Sequence, residues 1–120
     1  MNSFLVSLRQ VATLLARFSE TRLAGSLEWD GTRYAPTDSL SADPQAAKWW
    51  GVLTAIDGML MGQHRIPALQ KQYLEQVLFG GMGSLNDFVF DEDKIGPGAR
   101  QVNGELEALR RQLHDEFRGL

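Results

Sequence analysis

The sequence predicts an all-α fold: a compact bundle of four main helices with a short extra helix after a glycine-rich corner, forming a single domain over residues 1–120. Three observations carry this expectation. Apolar residues recur at spacings of three and four in four separate segments, the period of a helix with one face in a core. Helix-start and helix-stop residues, above all Asp43-Pro44, Ile66-Pro67 and Gly80-Gly81, fall at the ends of those segments. The strand-like stretch LEWDGTRY has no third strand with which to build a sheet. A chain of 120 residues, 43% hydrophobic and 22% charged, is long enough for one core.

The first helix follows from Phe4, Leu8, Val11, Leu15, Phe18 and Arg22, which share one face, with Leu5, Ala12 and Leu14 widening the stripe. Gly25 falls on the same stripe, and the helix is expected to weaken there. The first nineteen residues hold Arg9 and Arg17 and no acid, a faint likeness to a targeting peptide. Arg9 interrupts the apolar run and no small-x-small cleavage site follows, so a mature N-terminus and a cytoplasmic protein are expected. No run approaches the roughly 18 apolar residues that span a bilayer, so no membrane partner is expected.

Asp30-Gly31 suits a two-residue hairpin turn, and Trp29, Thr32 and Tyr34 suit strands. Residues 27–43 are thus read either as a small ribbon lying on the helices or as a loop. The Pro-, Ser- and Asp-rich run APTDSLSADP is a loop.

The second helix starts at Asp43-Pro44, where the aspartate can accept first-turn amides and the proline sits where no donor is needed. Its stripe is Trp49, Leu53, Ile56 and Leu60, flanked by Trp50 and Met59. Gly51 and Gly58 interrupt it, as expected where another backbone comes close, and Gly62 ends it. Ile66-Pro67 opens the third helix, with Leu69, Tyr73 and Val77 as its first ridge and Leu74 and Leu78 one step round. The last helix spans about 100–118 on Val102, Leu106, Leu109, Leu113 and Phe117, unless Asn103-Gly104 marks its true start.

Between the third and last helices lies FGGMGSLNDFVF. Gly80 or Gly81 is expected to supply a positive-φ helix stop, and Gly83 a second sharp turn. Ser84 can cap a new short helix, with Asp87 completing a weak capping box after Leu85 and Asn86. Met82 and Leu85 are expected to point inward as apolar plugs. An anion-binding nest of glycine amides is the competing reading. It is opposed by the acids Asp87, Asp91, Glu92 and Asp93, with Lys94 as the nearby base, and by the absence of the lysine and serine of a phosphate loop.

FGGMGSLND, at residues 79–87, resembles the hallmark of a family of small bacterial helical proteins carrying a domain of unknown function. The resemblance spans roughly residues 66–90, while the stretch from Glu28 to Leu60 is longer than the family's connection. Members look like the compact acidic immunity proteins that accompany bacterial toxins. The resemblance therefore implies a single helical domain that binds a toxin. No cofactor is expected.

Composition narrows the chemistry. The absence of cysteine removes disulfides, zinc-thiolate sites and a thiol nucleophile. A net charge of −3 argues against nucleic acid, whose phosphates call for a basic face. His64 and His114 are far apart, and no zinc-protease or nucleophile-elbow spacing surrounds them or any serine. His114, beside Asp115 and Glu116, reads as a solvated helical residue, and Asp91–Lys94 lacks the alternating ligand spacing of a calcium loop.

Charge distribution points instead to an interface. Residues 34–98 hold eight acids and four bases, so the negative surplus sits in the middle of the chain. Such a patch steers a basic partner by long-range attraction. The expected contact residues are Asp87, Asp91, Glu92 and Asp93, with Trp50 as an aromatic anchor. The leading expectation is a non-enzymatic protein-binding module, an immunity protein for a basic toxin domain. The alternatives are a small-molecule or metal-handling protein with a site near the glycine corner, His64 and Asp87, and a helical homodimer subunit.

Overall fold

A helix with apolar residues on more than one side must be enclosed, and α1 (Asn2–Arg17) is enclosed over its second half. In a computed structural model, which describes residues 2–19, 27–29, 34–36, 43–63, 65–95 and 98–120, every residue from Val11 to Ala16 is buried. Phe4, Leu8, Val11 and Leu15 form the predicted ridge. Arg17 in the last turn complements the negative end of the helix dipole. Arg22, Gly25 and His64 lie outside the described residues.

The strand-like stretch forms a ribbon. β1 (Leu27–Trp29) pairs antiparallel with β2 (Tyr34–Pro36) in the register Leu27↔Pro36, Glu28↔Ala35 and Trp29↔Tyr34. β1 lies against α1, as expected of a ribbon too small to stand alone. The Asp30-Gly31 turn and residues 37–42 lie outside the described residues.

α2 (Pro44–Leu60) begins as its sequence dictates: Asp43 is extended, and its Oδ1 accepts the Gln45 amide at 2.9 Å. The Asp43 amide also donates to the Phe18 carbonyl, which ties the start of α2 to the end of α1. Ala46, Trp49, Leu53, Ile56 and Leu60 are buried, and α2 packs along α1. Arg9 and Asp57 add a 3.0 Å ion pair between the two helices. Leu60 is the last helical residue and Gly62 turns the chain with φ +82°. Among the described residues the close approach expected at Gly51 and Gly58 does not occur: both are exposed, and a Cβ at either position would meet none of those residues within 4 Å.

α3 (Ala68–Phe79) follows Pro67 and buries Leu74 and Leu78. The expected ridge of Leu69, Tyr73 and Val77 is rotated out of the core, with Leu69 80% and Tyr73 52% exposed and Val77 at the core margin. Both apolar faces of α3 satisfied the helical period, and tertiary packing selected the one carrying Leu74 and Leu78.

After the corner come a single 3-10 turn (Leu85–Asp87), a one-turn helix α4 (Glu92–Ile95) and the long α5 (Ala99–Arg118). α5 starts at Ala99, not at Asn103, which sits in its interior with a side chain committed elsewhere. α5 packs on α1 and α2 completes the other side of that helix, so α1 is the central element of an all-α bundle. Rings stitch the layers together: Phe117 lies 5.9 Å from Phe4 and 5.3 Å from Phe79, and Phe90 lies 5.1 Å from both Phe18 and Phe88. Among the described residues no helix is long and apolar enough to cross a membrane.

Candidate protein-docking surface

The glycine corner closes on itself. Gly80 caps α3, its amide donating to the Gln76 carbonyl at 3.2 Å, and a Cβ there would collide with that carbonyl. Gly81 and Gly83 adopt φ of +98° and +83°, the left-handed region that side chains resist. The Gly81 amide donates to Ser84 Oγ at 3.2 Å, and the Ser84 hydroxyl donates back to the Gly81 carbonyl at 2.6 Å. The Gly83 amide donates to Asp87 Oδ2 at 3.2 Å. Two amides that an anion would need are thus directed at the corner's own side chains, one of them a carboxylate.

This pairing corrects the expected capping box. Ser84 occupies the N-cap position of the 3-10 turn, but its hydroxyl turns back to Gly81 and makes no cap bond, while Asp87 reaches Gly83. Leu85 is fully buried, as predicted for a plug. Met82 is not a plug: it is 97% exposed, because the two positive-φ glycines throw the chain outward between them.

Beyond the turn the chain runs extended and alternates. Phe88 and Phe90 are buried, Val89 is exposed, and side chains on opposite sides of an extended backbone account for the pattern. Two side chains of α5 grip the inner edge. Arg110 Nη1 donates to the carbonyls of Leu85 at 2.7 Å and Phe88 at 2.5 Å, while its Nη2 reaches Glu107 at 3.1 Å. Asn103 accepts the Phe90 amide at 2.7 Å and donates to the Phe90 carbonyl at 3.2 Å. Arg110 was not singled out from the sequence, and Asn103 was read there only as a possible helix cap. The available signal for Arg110 was a lone arginine on the apolar ridge between Leu106 and Leu113.

Asp91 is joined to the bundle through Asp43, whose buried carboxylate lies 3.4 Å from the Asp91 amide. Asp91 Oδ1 in turn accepts the Asp93 amide at 2.9 Å, which opens α4. The outward side of residues 82–93 therefore carries Met82, Asn86, Asp87, Val89, Asp91, Glu92 and Asp93, all exposed. The four predicted acids are brought onto one strap, held from below by polar contacts. Trp50 lies instead on α2, half-buried and packed against the core, where it contributes to the margin of the bundle.

Elsewhere, His114 is exposed, and its ring packs edge-on against Phe79 with centroids 4.7 Å apart, so it is a packing residue as well as a solvated one. An open groove of about 300 Å³ runs between α1 and α5, lined by Gln10, Thr13, Leu14, Arg17, Glu105 and Leu109. Among the described residues no group of three or more histidine, aspartate or glutamate side chains is placed to hold a metal ion. No family model matches the chain, nor does any curated protein or solved structure.

Proposed function

We propose that the protein is a non-enzymatic protein-binding module, a bacterial immunity protein that neutralises a cognate toxin in the cytoplasm by direct binding. The likeness of FGGMGSLND to the small helical family belongs to the same proposal. The observation that supports it is the outward side of residues 82–93, where two apolar and four acidic side chains share a strap anchored by Arg110 and Asn103. A preorganised face loses little conformational entropy on binding, and its charge favours a basic partner.

The test is binding of the purified protein to basic candidate toxins encoded beside it, measured at two salt concentrations. Reversing Asp87, Asp91, Glu92 and Asp93 to lysine is expected to weaken binding by at least about a hundredfold, with the association rate falling most. Failure of every neighbouring product to bind, or binding indifferent to the reversal, sinks the proposal.

The groove between α1 and α5 favours a second reading, a small-molecule-binding protein. A thermal-shift screen with metabolites and metals separates the two, since a ligand held by the folded state alone raises the melting temperature.

A further inference from the structure

We infer that Met82 is a reversible oxidation site, converted to the sulfoxide by hydrogen peroxide without unfolding of the bundle and returned by a methionine sulfoxide reductase. Three observations support it. The Met82 side chain is almost wholly in solvent at 97% exposure, against 63% for Met61, and Met59 packs at the margin of the core. Gly81 and Gly83 on either side carry no side chain and hold positive φ, so neither neighbour in the chain covers the thioether. The structure beneath is independent of it: Ser84 and Leu85 are buried, and the corner's hydrogen bonds involve the glycine backbone, Ser84 and Asp87.

The step balances simply. A sulfur lone pair attacks one peroxide oxygen, the O–O bond breaks and an S–O bond forms. The departing hydroxide takes the proton of the transferred hydroxyl and leaves as water. Sulfur is oxidised and peroxide is reduced. In the return step two reductase thiols become a disulfide, the sulfoxide oxygen leaves as water and the thioether is restored. A sulfoxide at position 82 projects its new dipole into water, so it adds a polar group with no burial cost. At Met59 the same oxygen would enter packed surface. Any effect of the sulfoxide on docking rests on the protein-binding reading, because Met82 is an exposed apolar residue of the strap that carries the acids; the oxidation itself does not depend on it.

The test treats the full chain with hydrogen peroxide under native conditions. Fragment-ion mass spectrometry follows each methionine, and circular dichroism follows helix content. Among Met59, Met61 and Met82, Met82 is expected to oxidise first, at about the rate of a free methionine derivative, with Met61 slower and Met59 slower by about tenfold or more. Helix content should stay unchanged, and reductase with dithiothreitol should restore the original mass. A Met82→Leu variant should lose the sulfoxide at position 82 and leave the rates at Met59 and Met61 unchanged. Oxidation led by Met59 or Met61, helix loss in step with Met82 oxidation, or a sulfoxide that resists the reductase would each overturn the inference. Loss of partner binding on oxidation would be a separate readout, and its absence bears on the docking proposal alone.

Discussion

Arg110 holds the Leu85 carbonyl at 2.7 Å, so a charged side chain on the last helix anchors the turn that follows the glycine corner. Arg110 is only 6% exposed, and the same nitrogen reaches the Phe88 carbonyl. A buried guanidinium satisfied by carbonyls and by Glu107 loses more when its partners are removed than a surface pair does.

Arg110→Met keeps the volume but leaves the Leu85 and Phe88 carbonyls without their donor. Hydrogen bonds to charged groups contribute about 1.5–3 kcal/mol each, so the variant should lose about 3 kcal/mol in urea unfolding. Glu107→Gln should cost well under about 1 kcal/mol, because Glu107 is largely in solvent. Equal losses for the two variants would mean that the ion pair, not the carbonyls, is what Arg110 serves.

Asn103 predicts a smaller effect of the same kind. Its amide pairs with both backbone groups of Phe90, as a neighbouring strand would. Asn103→Leu should cost about 1–2 kcal/mol despite leucine's better helix propensity. Amide hydrogen exchange at Phe90 should accelerate in step, which locates the loss at the strap and not in α5.

The helical period made most of this architecture readable, since the buried ridges of α1, α2 and α5 are those that the spacing of Phe4, Trp49 or Leu106 and their successors announces, although α1 is buried well beyond its ridge. It failed where two faces satisfied the period equally: nothing local in α3 distinguishes Leu69 and Tyr73 from Leu74 and Leu78. The corner was readable as a bend because positive φ is a backbone demand that glycine meets. The direction of Met82 was not, because glycine marks where a bend falls and not which way the residue between two such bends faces. The anchoring roles of Arg110 and Asn103 were not readable because polar residues within a helix ordinarily face water, and only the approach of the extended Phe88–Phe90 segment turns them into anchors.

Glycines of the corner and of α2 should respond in opposite senses. Gly81→Ala and Gly83→Ala force a side chain into positive φ and should each cost about 1 kcal/mol. Gly51→Ala and Gly58→Ala add a methyl in open space on a helix and should each stabilise by about 0.5–1 kcal/mol. Thermal unfolding of the four variants reads the contrast directly. Destabilisation by alanine at 51 or 58 would indicate that a partner or a second copy packs on that face of α2.

Asp43 joins three segments, which gives the last prediction its shape. One carboxylate oxygen accepts the Gln45 amide at the start of α2, the other lies 3.4 Å from the Asp91 amide, and the backbone amide holds Phe18. Asp43→Asn retains a good cap but exchanges one accepting oxygen for a donor that cannot serve both amides. It should cost about 1 kcal/mol, while Asp43→Ala, which loses the cap as well, should cost about 2 kcal/mol. If the strap depends on this junction, hydrogen exchange at Asp91 and Asp93 should rise in both variants, whereas exchange at Gln45 should rise chiefly in the alanine variant. An asparagine variant with unchanged Asp91 exchange would show that the long Asp43–Asp91 contact contributes nothing, leaving Asn103 and Arg110 to hold the acidic face alone.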